Sequence, residues 1–305
     1  MKTFLTAAIA AVTAACASAP AFALVPAAAD SCTLRIDGPA ASWIIQGFDP
    51  LGNNVPAAQF DVTFRNEGTA ECRFAPILSL ANEVFGLSDG SNARIPYNFL
   101  DRFGTYDMTP ISGQTPVSLT RRQVVIGAGQ QQTISFLFSI DADQLRRDGM
   151  FTQNAELEAV QPDGLILTGQ PVQLGINVLP SARIGLSGAF TISGGRAIVD
   201  LGELAEGPVQ VPLHLRVQST RRYRLSFQSL HDGNLQLSDS DWRIPYAVSL
   251  DGHAILLAGG AGQYVDAGGA SYREDSLPLG FVIGDTSSRR AGTYSDVLTI
   301  SVEPQ

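Results

Sequence analysis

The chain has 305 residues, 45% of them hydrophobic and 16% charged, with 30 glycines, 17 prolines and a net charge of −9. This composition excludes a disordered or collagen-like chain, and the acidic balance lacks the footprint of a nucleic-acid partner. Three cysteines and three histidines leave little material for a zinc centre, an iron–sulfur cluster or a Cys–His enzyme.

Residues 1–23 read as an export signal. Lys2 precedes a weakly apolar run over residues 4–15 and then Ala21-Phe22-Ala23, which supply the positive start, short apolar core and A-x-A site of a secretory peptide. Cleavage after Ala23 leaves a chain that starts at Leu24. The alternative, a lipid on Cys16, meets Thr13 where a lipoprotein signal prefers Leu. Lys2 is the only lysine, so its removal (20 minus 1) leaves 19 basic against 29 acidic residues. Export puts Cys32 and Cys72 in an oxidising compartment, where pairing them leaves no odd thiol; two free buried thiols are the alternative. A loop of that length closed by a disulfide stabilises by about 3–4 kcal/mol in the chain-entropy picture.

Further along, apolar residues alternate with a period of two, as half-buried strands require. The runs are Phe60/Val62/Phe64, Ile134/Phe136/Phe138/Ile140, Val172/Leu174/Ile176/Val178, Leu213/Leu215/Val217 and Tyr223/Leu225/Phe227, and residues 151–160 and 294–302 also read as strands. Turn-forming clusters at residues 49–54 and 258–262 separate some of them. No amphipathic helix longer than two turns is predicted.

The same pattern occurs twice. Arg94-Ile95-Pro96-Tyr97 recurs as Arg243-Ile244-Pro245-Tyr246, and Phe60/Val62/Phe64/Arg65 match Val211/Leu213/Leu215/Arg216. Ile134, Phe136, Phe138 and Ile140 align with Leu277, Leu279, Phe281 and Ile283, and Gly149 and Phe151 with Gly292 and Tyr294. The predicted fold class is therefore all-β, two tandem immunoglobulin-like sandwiches over residues 24–179 and 180–305. After residues 151–160 the first copy continues into the alternating run Val172, Leu174, Ile176 and Val178. After the matching run 294–302 the second copy has only Glu303-Pro304-Gln305. The first copy is thus expected to complete itself, and the second to lack its last strand. A linker strand serving neither copy is the alternative for that run.

The sequence resembles the spore coat protein U-like domain used by subunits of archaic chaperone–usher pili. The resemblance is carried by Cys32 and its following strand, by Gly47-Phe48-Asp49-Pro50-Leu51 leading to Cys72, and by Arg243-Ile-Pro-Tyr246. Its most specific part is Gly292-Thr-Tyr294-Ser-Asp296 with the Thr/Val alternation that follows. The second copy departs from the pattern in having no cysteine, and Cys72 falls slightly later than the family's second one. The resemblance implies a pilin-type fold whose missing strand is donated by a neighbouring pilin subunit. It also implies a periplasmic chaperone and an outer-membrane usher as partners, passage through the periplasm to the cell surface, and no cofactor. Residues 24–31 contain Pro26 and little apolar alternation, so they are not expected to donate. A subunit that accepts but does not donate belongs at the fibre tip. Its acceptor groove is expected along Ile184 and Leu186 and along Tyr294, Leu298, Ile300 and Val302. Adhesive contacts are expected at the loop residues Val84, Phe85 and Leu87 and at Phe103, Tyr106 and Met108, and would serve surface attachment or biofilm formation. The alternative is a polymerising coat or matrix protein without adhesive specificity.

There is no G-x-S-x-G, and the glycine cluster of residues 259–262 lacks the strand and helix of a dinucleotide loop. His214 reads as an outward strand residue. Asp141/Asp143 and Asp239/Asp241 resemble pieces of calcium loops without the Gly and distal Glu of an EF-hand, so a loop calcium site stays an alternative. Glu156 and Glu158 share one strand face near glycosidase spacing, where a solvated face is the plainer reading. The expectation is a protein that is not an enzyme.

Overall fold

A computed structural model describes residues 31–37, 41–80, 83–103, 106–110, 122–257, 263–267 and 272–305. The signal peptide, Cys16, residues 24–30 and the turn at 258–262 lie outside the described residues. Two tandem β-sandwiches account for the described chain, and among the described residues the second is one strand short. Among these residues the single helical element is a 3-10 turn, Ala142–Gln144, capped by the Asp141 side chain accepting from the Asp143 amide. No helix there is long and apolar enough to cross a membrane.

The first sandwich has two five-stranded sheets. One runs in the order β1 (Leu34–Asp37), β3 (Ala57–Asn66), β8 (Gln131–Ile140), β5 (Tyr97–Asp101) and β6 (Tyr106–Asp107). The other runs β2 (Ala41–Phe48), β10 (Ile166–Val178), β9 (Gly149–Val160), β4 (Cys72–Ser79) and β7 (Val124–Ile126). Alternation sets which residues face inward: Ile134, Phe136, Phe138 and Ile140 of β8 are buried while their neighbours are not. Trp43 of β2 crosses the interior and stacks on Phe60 and Phe99, at 5.1 and 5.9 Å between centroids. Cys32, just before β1, is bonded to Cys72 at the start of β4, with Cα atoms 5.1 Å apart. The bond therefore ties one sheet to the other.

The last strand of this sandwich, β10, lies between β9 and β2. It is antiparallel to β9, with Val172 opposite Ala155, and parallel to β2, with Val172 opposite Ala41 and Leu174 opposite Trp43. Its four alternating residues Val172, Leu174, Ile176 and Val178 are all buried in the core.

Leu179, Pro180 and Ser181 lead into the second sandwich. Its larger sheet runs β11 (Ala182–Gly188), β15 (Leu213–Ser219), β21 (Arg273–Ile283), β18 (Arg243–Leu250), β17 (Asn234–Leu237) and β22 (Tyr294–Ser295). The short strands β14 (Gly207–Val209) and β19 (His253–Ile255) add to β21 and β18. The opposite sheet has three strands, β20 (Gln263–Ala267), β16 (Tyr223–Ser229) and β23 (Leu298–Pro304). A separate hairpin is made by β12 (Thr191–Ser193) and β13 (Arg196–Ile198). The run expected as one strand over residues 294–302 is two strands in different sheets, because the buried Asp296 side chain anchors the chain where it crosses between them.

Replacing both Cys32 and Cys72 with Ala is expected to destabilise the first sandwich by about 3–4 kcal/mol. The second sandwich should be unaffected, as read by chemical denaturation with probes in each half.

Candidate strand-acceptor groove

The edge of β23 is the feature that separates the two sandwiches. On one side β23 pairs with β16, with Leu225 opposite Val302 and Phe227 opposite Ile300. The Gln305 amide donates to the Arg222 carbonyl, and the Leu230 amide donates to the Val297 carbonyl. Antiparallel pairs alternate between bonded and non-bonded positions, so Thr299, Ser301 and Glu303 are the residues bonded to β16. Leu298, Ile300 and Val302 consequently turn their N–H and C=O groups to the other edge. Among the described residues no strand pairs with that edge.

The side chains tell the same story. Leu298, Ile300 and Val302 pack on the second core but remain half-buried. Their counterparts on β9, Ala155, Leu157 and Ala159, are buried because β10 covers them. On the facing strand β11, Ile184 and Leu186 are also only half-buried, and so is Leu277 of β21, whereas its counterpart Ile134 is 1% exposed. The result is a trough lined by Ile184, Leu186, Leu277, Leu298, Ile300 and Val302, with one backbone ladder unfilled along its side. Fully burying an exposed side chain of this kind is worth about 1.5–3 kcal/mol, and covering these half-buried ones gains part of that each. Val172, Leu174, Ile176 and Val178 provide that cover within the first sandwich. Tyr294 is corrected here: it lies on β22 opposite Leu237, packs on the small cluster of Leu235, Ile244 and Ile283, and does not border the trough.

A polar network that the sequence did not signal holds the upper end of β23. The Asp296 carboxylate is buried and accepts from Ser229 Oγ at 2.6 Å, Tyr246 Oη at 2.7 Å and the His231 amide at 3.1 Å. His231 Nδ1 lies 3.2 Å from the same carboxylate. Burial and then the bond to Asp296 push the Tyr246 hydroxyl above its ordinary range, so it stays a donor. The Gly-x-Tyr-x-Asp spacing was the available signal, because it placed Asp296 two residues beyond an inward tyrosine. The first sandwich has Gln153 where the second has Asp296. Gln153 turns instead to the 84–86 loop, donating to the Val84 carbonyl at 2.7 Å and accepting from the Gly86 amide at 3.0 Å. Tyr97, the counterpart of Tyr246, is left with a buried hydroxyl that has no partner among the described residues.

The expected adhesive residues divide by burial. Val84, Phe103 and Tyr106 are exposed, Phe103 by 83%. Phe103 is held in place: its amide donates to Asp101 Oδ1, and Arg122, which is paired with the buried Asp101, stands over its ring at 4.2 Å. Leu87 is corrected, since it is fully buried. Phe85 packs on Tyr97 at 4.8 Å, and Met108 is half-buried against the first core, so neither is a free loop tip. Among the described residues no cluster of His, Cys, Asp and Glu is placed to hold a metal ion. On the outer face of β9, Glu158 has its carboxyl raised by burial and by the charge of Glu156.

No protein-family model matches the sequence, and no curated protein matches it. Solved structures similar to it include a chain of the CsuC–CsuE chaperone–tip adhesion subunit pre-assembly complex from archaic chaperone–usher Csu pili of Acinetobacter baumannii. That similarity is 14% identity and a TM-score of 0.47 over 88% of this chain and 100% of that one. The CupB6 tip adhesin from Pseudomonas aeruginosa is similar at 11% identity and a TM-score of 0.38, over 89% of this chain and 94% of that one. CfaE, the adhesive subunit of CFA/I fimbria of enterotoxigenic Escherichia coli, is similar at 10% identity and a TM-score of 0.32, over 87% and 92%. Similarity at this level carries no inference about activity.

The two tyrosines should respond oppositely to loss of the hydroxyl. Tyr246→Phe strips a donor from buried Asp296 and is expected to cost about 1–3 kcal/mol, whereas Tyr97→Phe removes an unpaired hydroxyl and should be neutral or stabilising. Denaturant unfolding of the two single variants checks this.

Proposed function

We propose that this chain is an exported, non-enzymatic adhesive subunit of a chaperone–usher pilus, placed at the fibre tip. In this reading the first sandwich is self-completed and meets the surface, and the second accepts a donor strand from the neighbouring pilin subunit. The observation that carries it is the contrast between two copies of one fold: β9 has β10 along its free edge, and β23 has nothing there among the described residues. An extended segment with apolar residues at every second position satisfies both the open ladder and the half-buried trough. The resemblance of residues 292–302 to the spore coat protein U-like ending supports the same partner chemistry. So does the lack of apolar alternation in residues 24–31, which favours the tip position. Before assembly the same edge would be covered by a periplasmic chaperone strand, and the usher would receive the covered subunit.

An unfilled edge exposes backbone groups and apolar side chains together, so stability of the second sandwich should depend on ligand strand. A synthetic peptide of residues 168–179 is a suitable probe because it is the strand that fills the equivalent place in the first sandwich. Calorimetry of the full chain should show two transitions. Peptide at about 100 times its Kd should stabilise the second sandwich by about 2.7 kcal/mol and leave the disulfide-bonded one where it is. Ile300→Asp should abolish that shift. A peptide effect on the first sandwich alone, or on neither, overturns the acceptor reading.

The adhesive part of the proposal rests on Phe103, which is exposed yet pinned by Arg122 and Asp101. Exchanging Val84 and Phe103 together for Ser should cut attachment to apolar surfaces by about tenfold or more without changing either unfolding transition. Unchanged attachment of the folded variant overturns it.

A further inference from the structure

The hairpin β12–β13 takes the place in the chain that β2 has in the first copy. Opposite their partner strands, Leu34 pairs with Asn66 and Ile184 with Val217, which fixes an offset of 150 between the first strands of the two copies. The same offset carries residues 41–48, the whole of β2, onto residues 191–198, the whole of the hairpin. In the first sandwich this segment is one extended strand, parallel to β10. In the second, which has no counterpart of β10 among the described residues, it folds back on itself, with Thr191 opposite Ile198 and Ser193 opposite Arg196.

Among the described residues no other strand pairs with it. All residues of both short strands are exposed, with Ile192 at 74% and Ile198 at 49%. A two-stranded hairpin without a covered face is marginal in water. Its turn is made by Gly194 and Gly195, with φ of +55° and +75°, the two positive values of a type I′ turn. Glycine adopts these and the extended conformation with similar ease, so the same residues fit a hairpin or a strand. The stems are anchored while the tip is not: Phe190 and Val199 pack on the second core at either end. Gly188, where an added Cβ would lie 2.0 Å from the Pro212 carbonyl, fixes the point at which the chain leaves β11.

We infer that residues 191–198 are the second wall of the acceptor groove, opening from the hairpin into a single strand that pairs in parallel with the outer edge of a bound donor strand. The inference rests on the acceptor reading above and adds a clasp to it. The internal pairing supplies the register: the donor residue equivalent to Val172 should lie opposite Thr191, and the one equivalent to Leu174 opposite Ser193. Opening exchanges hairpin bonds for donor bonds and moves Ile192 and Ile198 from solvent into a sheet. The occupant is an extended segment with alternating apolar side chains, the chemistry of β10. Because the hairpin competes with the bound form, it lowers the apparent affinity by the fraction of molecules already open.

The test uses the full chain and the peptide of residues 168–179, followed by amide hydrogen exchange. Binding should slow exchange at residues 298–302 and also at residues 191–198. Slowing at 298–302 with no change at 191–198 overturns the clasp and leaves the acceptor reading standing. No slowing at 298–302 overturns the acceptor reading and the clasp with it. A second measurement uses Ile192→Cys with Ala197→Cys, which are directly opposite in the hairpin and suited to a disulfide that locks it shut. The oxidised lock should weaken peptide binding by about tenfold or more, and mild reduction should restore it. The parent chain under the same reductant controls for the Cys32–Cys72 bond. Equal affinity with the hairpin locked and unlocked overturns the clasp.

Discussion

A β-strand has two rows of backbone donors and acceptors, and a sandwich is closed only when both rows of its inner strands are paired. The penultimate strand of each copy here is where that requirement is met or not. In the first copy β10 supplies twelve positions opposite β9 and fills the core with four buried apolar side chains. In the second copy Leu298, Ile300 and Val302 carry both the open backbone row and the half-buried side chains, so one added strand would satisfy both at once. The coincidence follows from period-two geometry, because residues that share a side-chain face also share a hydrogen-bonding edge. It is also why the half-burial of Ile184, Leu186 and Leu277 across the trough belongs to the same gap.

Two copies of one fold also show how single positions divide structural labour. Asp296 gathers Ser229, Tyr246 and the His231 amide where the chain crosses between sheets. That fastens the start of β23, which has a partner on only one side. With Gln153 at the matching place, the first copy spends the position on the 84–86 loop, which it holds through Val84 and Gly86. β9 is already fixed by neighbours on both sides, so a carboxylate anchor is dispensable there. The unpaired Tyr97 hydroxyl is the residue of that exchange.

Much of this was legible in sequence because it depends on local periodicity. Alternation marked β8, β9, β10, β15 and β16, and the order of matched segments exposed the internal repeat. Export arithmetic paired Cys32 with Cys72, and the structure has that bond. Three features were not legible. Over residues 294–302 the alternation slips at Asp296 and Val297, but the slip alone does not say that the chain crosses to the other sheet there, which removes Tyr294 from the trough. Leu87 follows Val84, Phe85 and Gly86 in a loop, yet its amide and carbonyl bond to Ile95, and that pairing turns the side chain inward. The hairpin was hidden because residues 191–198 hold few apolar residues, and their meaning depends on comparison with β2. The crossing is set by distant partners of Asp296 and the other two features by specific backbone pairing, whereas periodicity reports only which face a residue shares with its near neighbours.

The asymmetry between the halves extends beyond the missing strand. The first sandwich has a disulfide between its sheets, a stacked aromatic interior around Trp43, and its own closing strand. At the position of Trp43 the second has Ser193, and at the positions of Ile44 and Ile45 it has Gly194 and Gly195. These substitutions remove the side chains that would fix a β2-like strand in place without a neighbour. A segment of that kind gains order only from a strand laid beside it. The vacancy along β23 and the weakness of the hairpin are therefore one design seen from two sides of the same groove. Among the described residues the half with no counterpart of β10 also lacks the side chains that would fix a β2-like strand in its absence.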